Sequence, residues 1–115
     1  MRLFIPPLGT KLRLLRPWNF RLYCEPRNTR LWDLRYSPPS LSAIPVMHRH
    51  ANYHDSYLET GDTLVVDRIY IRHGQQMFNS VTFKGLVLHA GNYHKVRFWA
   101  RLSDVNNMDV EVIPI

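Results

Sequence analysis

The sequence predicts one small all-β domain, an antiparallel sheet of six or seven short strands that curls strongly or closes into a barrel. Its 115 residues are the usual length of a single domain, so we treat residues 1–115 as one unit. Apolar residues make up 45% of the chain, which is enough to bury a core without a disulfide or a metal. Eight prolines interrupt helices and central strands, so the elements between them must be short.

The first part of the chain predicts three strands. Residues 10–15 follow the turn residue Gly9 and end before Pro17. Over Trp18–Tyr23, large apolar residues alternate with polar ones, which is the period of two expected for a second strand. Residues 29–35 alternate more weakly and predict a third strand.

The middle of the chain, residues 37–60, predicts a long irregular loop. Prolines at its start and again at Pro45 interrupt any regular element, although one helical turn fits residues 47–53. Long irregular segments in compact domains are often functional or mobile. This loop is therefore one of the places where we look for a site.

The C-terminal half carries the clearest strand signals. Strands are predicted over residues 63–71, 77–83, 94–102 and 109–113, with residues 84–85 leading into the apolar residues 86–88 and with turns at 72–76, 90–92 and 103–107. The strand over residues 94–102 alternates best. Its apolar residues, such as Phe98, point to one face, and the opposite face carries Lys95, Arg97, Trp99 and Arg101.

The end of the chain resembles SH3-like small barrels. Within residues 63–113, a hairpin and a well-alternating strand precede a Ser103-Asp104 turn and a short final strand. This succession is similar to the close of Tudor-type and KOW-type modules, and the resemblance implies a small barrel. It covers architecture only, because the sequence lacks the acidic loop and paired aromatics of SH3 domains that bind proline-rich peptides. An OB-like barrel is the alternative fold.

Compartment signals are few. No apolar run approaches the ~18 residues that a membrane span needs, and residues 1–7 are too short for the core of a signal peptide. The single cysteine, Cys24, excludes an internal disulfide and a cysteine-based zinc site. We therefore expect a cytoplasmic protein that does not engage a membrane.

Positive charge is concentrated in the first half of the sequence. The net charge is +6, but residues 1–50 contain nine bases and two acids, whereas residues 51–115 contain six bases and seven acids. Twelve of the fifteen bases are arginine, whose planar guanidinium pairs with phosphate or carboxylate and stacks on aromatic rings. This balance favours an anionic partner, either nucleic acid or an acidic protein surface. An unspecialised basic surface is the remaining interpretation.

The first candidate site is the basic face of the predicted strand 94–102. Lys95, Arg97, Trp99 and Arg101 would lie side by side at steps of ~6.6–6.8 Å, twice the rise per residue of a strand and close to the phosphate spacing of a single strand. Trp99 between them could stack on a base. The competing interpretation is that Trp99 packs beneath the N-terminal segment.

The second candidate is an arginine- and aromatic-rich segment in the first half. Its bases are Arg13, Arg16, Arg21, Arg27, Arg30 and Arg35, and they interleave with Trp18, Phe20, Tyr23, Trp32 and Tyr36. Basic residues can follow a nucleic-acid backbone while aromatic residues take up its bases. Trp18 and Phe20 share one strand face and are most simply core, so Arg21 and Tyr23 on the opposite face are favoured for contact.

A third, weak candidate is the histidine group His48, His50 and His54, which with Asp55 could ligate zinc or nickel. Its spacing matches no metalloenzyme motif, so we expect neither a metal nor another cofactor. The sequence also lacks a glycine-rich phosphate loop, a nucleophile elbow and a paired acidic site. We therefore expect no enzymatic activity.

Two functional classes remain. The first is a non-enzymatic small barrel that binds nucleic acid, with single strands or RNA favoured, through its arginine and aromatic surface. The second is a protein-interaction module or small inhibitor, of the kind found among phage and mobile-element accessory proteins. Such a module would dock on a partner protein or occupy that partner's nucleic-acid-binding groove.

Overall fold

Seven strands and two short helices are found in the computed structural model, which describes residues 6–23, 25–35, 53–71 and 79–114. The strands are β1 (Lys11–Leu14), β2 (Trp18–Tyr23), β3 (Tyr53–Leu58), β4 (Thr63–Tyr70), β5 (Ser80–His89), β6 (Asn92–Arg101) and β7 (Val110–Ile113). A 3₁₀ turn, Pro26–Asn28, leads into helix α1 (Thr29–Arg35), and helix α2 (Leu102–Val105) separates β6 from β7. The described part is thus mostly β, as the sequence predicts.

The strands form two antiparallel sheets. The large sheet has the order β6-β5-β4-β1-β7, and the small sheet pairs β2 with β3. The hairpin between β5 and β6 closes at the pair His89–Asn92. Its two turn residues, Ala90 and Gly91, have φ values of 52° and 80°. Positive φ at both positions is the type I′ geometry that matches the twist of a two-residue hairpin, which confirms the tight turn predicted here.

The core lies between the two sheets and is largely aromatic. Trp18 stacks on Phe20 within β2, with ring centroids 4.2 Å apart. From the large sheet, Phe98 lies 5.3 Å from Phe20, and Phe83 meets Trp18 edge-on at 6.1 Å. The Trp18 indole donates a hydrogen bond to the carbonyl of Asp104 at 2.9 Å, so this buried N–H is satisfied. The apolar residues that alternate with polar ones along β2 and β6 therefore belong to the core, as the sequence pattern predicts.

The third predicted strand is wrong, because residues 29–35 form helix α1. The chain enters it through a capped turn: the Glu25 carboxylate accepts from the Arg27 N–H, and Pro26 occupies a first-turn position. Leu31 and Trp32 are both buried although they are adjacent. Adjacent residues on a strand would face opposite sides, whereas a helix lying at the edge of the core can bury both.

The predicted loop over residues 37–60 also needs correction, since strand β3 occupies Tyr53–Leu58. The possible helical turn at residues 47–53 lies almost wholly outside the described residues. Residues 80–83 of the predicted strand 77–83 and the apolar residues 86–88 lie in one strand, β5, which runs through Gly85, and residues 77–78 lie outside the described residues. A Cβ at Gly85 would lie 2.7 Å from a methyl group of Leu64 and 2.8 Å from the Thr63 carbonyl, so only glycine lets the strand continue there.

The pairings of the described strands form two separate sheets, with β6 and β7 at the edges of the larger one. A closed barrel, whether SH3-like or OB-like, therefore stays a prediction. Residues 103–107, predicted as a 3₁₀ turn, contribute to the short helix α2. Neither helix in the described part combines the length and the apolar character needed to cross a bilayer.

Candidate functional site

The large sheet presents a basic face on the side opposite its core. On β6, Val96, Phe98 and Ala100 belong to the core, so Lys95 and Arg97 point to the other face. Strand pairing extends this face across the sheet, since residues directly opposite each other share a face. One cross-strand row runs Lys11, Val65, Lys84, Arg97, and the next runs Arg13, Thr63, Leu86, Lys95.

All residues of these two rows except Arg13 line an open groove of about 540 Å³. Its basic residues come from β1, β5, β6 and α1, and they are Lys11, Arg30, Lys84, Lys95 and Arg97. The chain contains three lysines in all, and the fold brings all three to this groove from distant positions in the sequence. Between the cations the groove is lined by Val65, Leu86 and Val96 together with Thr63 and Gly85.

Within the described ranges, one acid pairs with cations of the groove. The Asp67 carboxylate accepts from Arg97, with N···O 3.0 Å, and lies 3.6 Å from the Lys84 ammonium. Asp67 lies at a shift in register between β4 and β5, and such irregularities re-aim a side chain. The other three cations of the groove form no ion pair with any acid in the described ranges. They are Lys11, Arg30 and Lys95.

The arginines of the first half do not gather on one surface. Arg13 pairs with Glu111 at 2.8 Å, Arg16 with Asp109 at 3.2 Å, and Arg27 with Glu25 at 3.1 Å. Two of these three acids, Asp109 and Glu111, come from the C-terminal half, so each offsets one positive charge of the first half. The first half therefore presents less unpaired positive charge at the surface than its charge count along the sequence indicates.

The remaining members of the second candidate also separate. The guanidinium of Arg21 lies 5.5 Å from the ring of Tyr53 on the small sheet, away from the groove. Arg30 is the member of this segment that reaches the groove. The side chain of Arg35 lies outside the described part, as does Tyr36, and Trp32 is buried in the core.

The exposed stacking platform predicted at Trp99 is wrong. Trp99 is 6% exposed, and the segment after β2 covers it. Its ring stacks on Tyr23 at 5.2 Å with an interplanar angle of 14°. Its indole N–H donates to the Glu25 carboxylate, and its backbone N–H donates to the Asn28 side chain at 2.8 Å. The competing interpretation, that Trp99 packs beneath the N-terminal segment, is confirmed.

Three other residues predicted to contact a partner take part in the same packing. Tyr23 is also buried, and its hydroxyl accepts a hydrogen bond from Arg101 at 3.2 Å. The guanidinium of Arg27 lies over the Trp99 ring at 5.8 Å. Tyr23, Arg27 and Arg101 thus hold the covering segment in place rather than face an open surface.

Sequence reasoning missed Lys11, Lys84 and Tyr93 as members of this face. Tyr93 is 68% exposed and pairs with Leu88 across the hairpin. The signal was available, because a two-residue turn at Ala90-Gly91 fixes the register of β5 against β6. That register alone places Lys84 opposite Arg97.

The histidine group remains untested, since His48 and His50 lie outside the described residues. His54, on β3, meets the Trp32 ring edge-on at 4.8 Å. Among the residues with described positions, no three histidine, cysteine or acidic side chains come together in a way that could hold a metal.

Comparison with protein-family models, with curated proteins and with solved structures finds no match to this chain.

Proposed function

We propose that the basic groove of the large sheet binds nucleic acid through its phosphates, without catalysis. The observation that carries the proposal is the convergence of all three lysines and two arginines on one groove, three of them without an acidic partner in the described part. Cations held apart from acids are available to displace the counterions of a phosphate backbone, and this release supplies much of the affinity for nucleic acids.

The spacing of the cations supports a backbone contact. Lys95 and Arg97 lie two residues apart on β6, which is ~6.6–6.8 Å along a strand. Lys84 lies directly opposite Arg97 on the neighbouring strand, at ~4.7–4.9 Å between strands. Successive phosphates of a single strand are separated by about the first of these distances, so neighbouring phosphates can each meet a cation.

Composition favours nucleic acid over an acidic protein as the occupant. The cores of protein–protein interfaces are depleted in lysine, whereas this groove collects every lysine of the chain. The exposed Leu86 and Leu88 on the same face keep the second class as an alternative, a module that docks on an acidic partner protein. Competition by polyglutamate tests for docking on an acidic protein.

The finer fold assignment belongs to the same proposal. We infer an SH3-like arrangement for the large sheet, because β4, β5 and β6 form a meander, α2 provides a helical turn, and β7 returns to pair with β1. The resemblance of residues 63–113 rests on the hairpin, the well-alternating strand, the turn and the short final strand, and the pairing of β7 with β1 adds to it. In this arrangement the groove is the outer surface of the meander.

The proposal is tested by removing the groove charge. In the lysine variant, the substitutions are Lys11→Gln, Lys84→Gln and Lys95→Gln. In the arginine control, they are Arg13→Gln, Arg16→Gln and Arg21→Gln, which remove the same charge outside the groove lining. Affinity for a labelled 20-nucleotide single strand is measured by fluorescence anisotropy between 50 and 300 mM salt, a range chosen because phosphate contacts weaken steeply with salt.

Four or five phosphate contacts predict a slope of roughly −3 to −4 for log affinity against log salt, at ~0.7 per contact. The lysine variant should reduce that slope by about 2 and lower affinity roughly 100-fold at 0.1 M salt, three contacts at about fivefold each. The arginine control should keep the wild-type slope. Equal losses in both variants, or a flat salt response of the wild type, would contradict the groove as the binding site.

A further inference from the structure

Tyr93 is the most exposed large apolar or aromatic side chain in the described ranges, at 68%. It lies near the tip of the β5–β6 hairpin, on the same face as the groove. It makes no hydrogen bond and no ring contact with any residue of known position. A single exposed apolar side chain is common on protein surfaces, but a contiguous exposed apolar patch marks a binding surface.

The surroundings of Tyr93 form a small apolar shelf that continues into the cations. Leu88 lies directly opposite Tyr93, and Leu86 lies opposite Lys95, two residues further along β6. Leu86 and Leu88 are 41% and 36% exposed. Passing down β6 from the hairpin tip, a ligand would therefore meet an aromatic ring and two leucines, and then Lys95 and Arg97.

We propose that Tyr93 stacks on an unpaired base while Lys95 and Arg97 contact the phosphates that follow it, so that the partner is a single-stranded nucleic acid. This inference rests on the proposed function. Base–aromatic stacking is tolerant of sequence, because every base presents a flat π-face. The arrangement accordingly predicts binding to single strands with little preference among bases.

A duplex fits this surface less well. In a duplex each base has both faces covered by its neighbours, so a tyrosine projecting from a sheet cannot stack on it without flipping or unstacking the base at a cost. The lysines and arginines of the groove would still contact duplex phosphates. Tyr93 should thus separate single strands from duplexes, whereas the groove cations should not.

The test compares one 20-nucleotide single strand of mixed sequence with the duplex of the same sequence, by fluorescence anisotropy at 0.1 M salt. Tyr93→Ala removes the ring, and Tyr93→Phe keeps it. Tyr57→Ala is the matched control, because Tyr57 is a 45% exposed tyrosine on the small sheet. The lysine variant is measured alongside, and polyglutamate of equal charge serves as a competitor.

We expect Tyr93→Ala to weaken single-strand binding about 5- to 150-fold, the range that corresponds to loss of one stacking aromatic. Its duplex affinity should change less than twofold, and Tyr93→Phe and Tyr57→Ala should bind the single strand like the wild type. Because Tyr93 is exposed, Tyr93→Ala and Tyr93→Phe should unfold at the wild-type temperature.

Suppose that Tyr93→Ala weakens single-strand and duplex binding equally, or leaves both unchanged, while the lysine variant still loses binding. The single-strand inference is then overturned, and the groove still stands as the phosphate-binding site. If the lysine variant binds as tightly as the wild type, the proposed function itself fails. If polyglutamate displaces the strand at equal charge concentration and Tyr93→Ala has no effect, the surface fits an acidic protein, and the single-strand inference is again overturned.

Discussion

Replacing Trp99 by alanine tests how the basic strand face is divided between packing and binding. Trp99 alternates with Lys95 and Arg97 on β6, but Tyr23 and residues 25–28 cover it, and 6% of its surface is exposed. The substitution would remove the stacked contact with Tyr23 and the hydrogen bond to Glu25. Lys95 and Arg97 lie closer to the hairpin tip on the same strand, and neither contact is made with them.

The expected loss follows from burial. Truncating a buried tryptophan to alanine costs ~3–5 kcal/mol, which covers the lost contacts and the cavity left behind. Glu25 loses a donor but keeps its ion pair with Arg27, so its carboxylate is not left alone. For a domain of this length, 1 kcal/mol corresponds to about 4 °C in Tm, which predicts a fall of roughly 12–20 °C.

The assay is thermal and urea unfolding followed by circular dichroism, with strand binding measured well below the transition. Phe98→Ala is the control for a residue buried in the core and should lose a similar amount. Trp99→Phe keeps an aromatic ring and should lose only ~1–2 kcal/mol, the cost of an unmade buried hydrogen bond. A Tm within 3 °C of wild type, combined with lost strand binding, would refute the packing role of Trp99.

Three smaller predictions concern single side chains. Asp67→Asn should raise single-strand affinity about fivefold at 0.1 M salt, the value of one phosphate contact, because its carboxylate competes for two groove cations; anisotropy showing weaker binding would contradict this. Ala90→Asn should stabilise the protein by about 1 kcal/mol in urea unfolding, since asparagine adopts positive φ more readily than alanine, and an unchanged midpoint would count against that turn geometry. The hydrogen bond from Arg68 lowers the pKa of Tyr70, so Arg68→Ala should raise that pKa toward its ordinary value of 10. An NMR titration that finds the same Tyr70 pKa in the variant and the wild type would exclude this cause.

The strand pattern of the sequence predicted much of the fold because it depends on local alternation. β2 and β6 were predictable, since Phe20 and Phe98 each sit in a clear period of two. Helix α1 was not, because its seven residues include adjacent apolar side chains that fit a short strand as well as a short helix. The capping contacts of Glu25 that favour the helix become visible only with the side chains placed.

The site was predicted only in part, for a different reason. Counting charges along the sequence assigned the basic surface to the first half, but Arg13 and Arg16 meet acids that lie about 95 residues away along the chain. Ion pairs of that separation depend on the return of β7 to β1, which no local pattern reveals. Lys95 and Arg97 lie on the face opposite Phe98, as the alternation predicts, whereas the burial of Trp99 depends on its contacts with Tyr23, Glu25 and Asn28.

Lysine footprinting tests most directly whether the groove of the large sheet binds a single strand. All three lysines of the chain line the groove, so acetylation of lysine reports on this surface and on no other. The protein is acetylated briefly with and without a saturating 20-nucleotide single strand, and each lysine is quantified by mass spectrometry. If the strand binds in the groove, we expect it to slow acetylation of Lys11, Lys84 and Lys95 together. A strand that binds while all three lysines react as fast as in the free protein would contradict it.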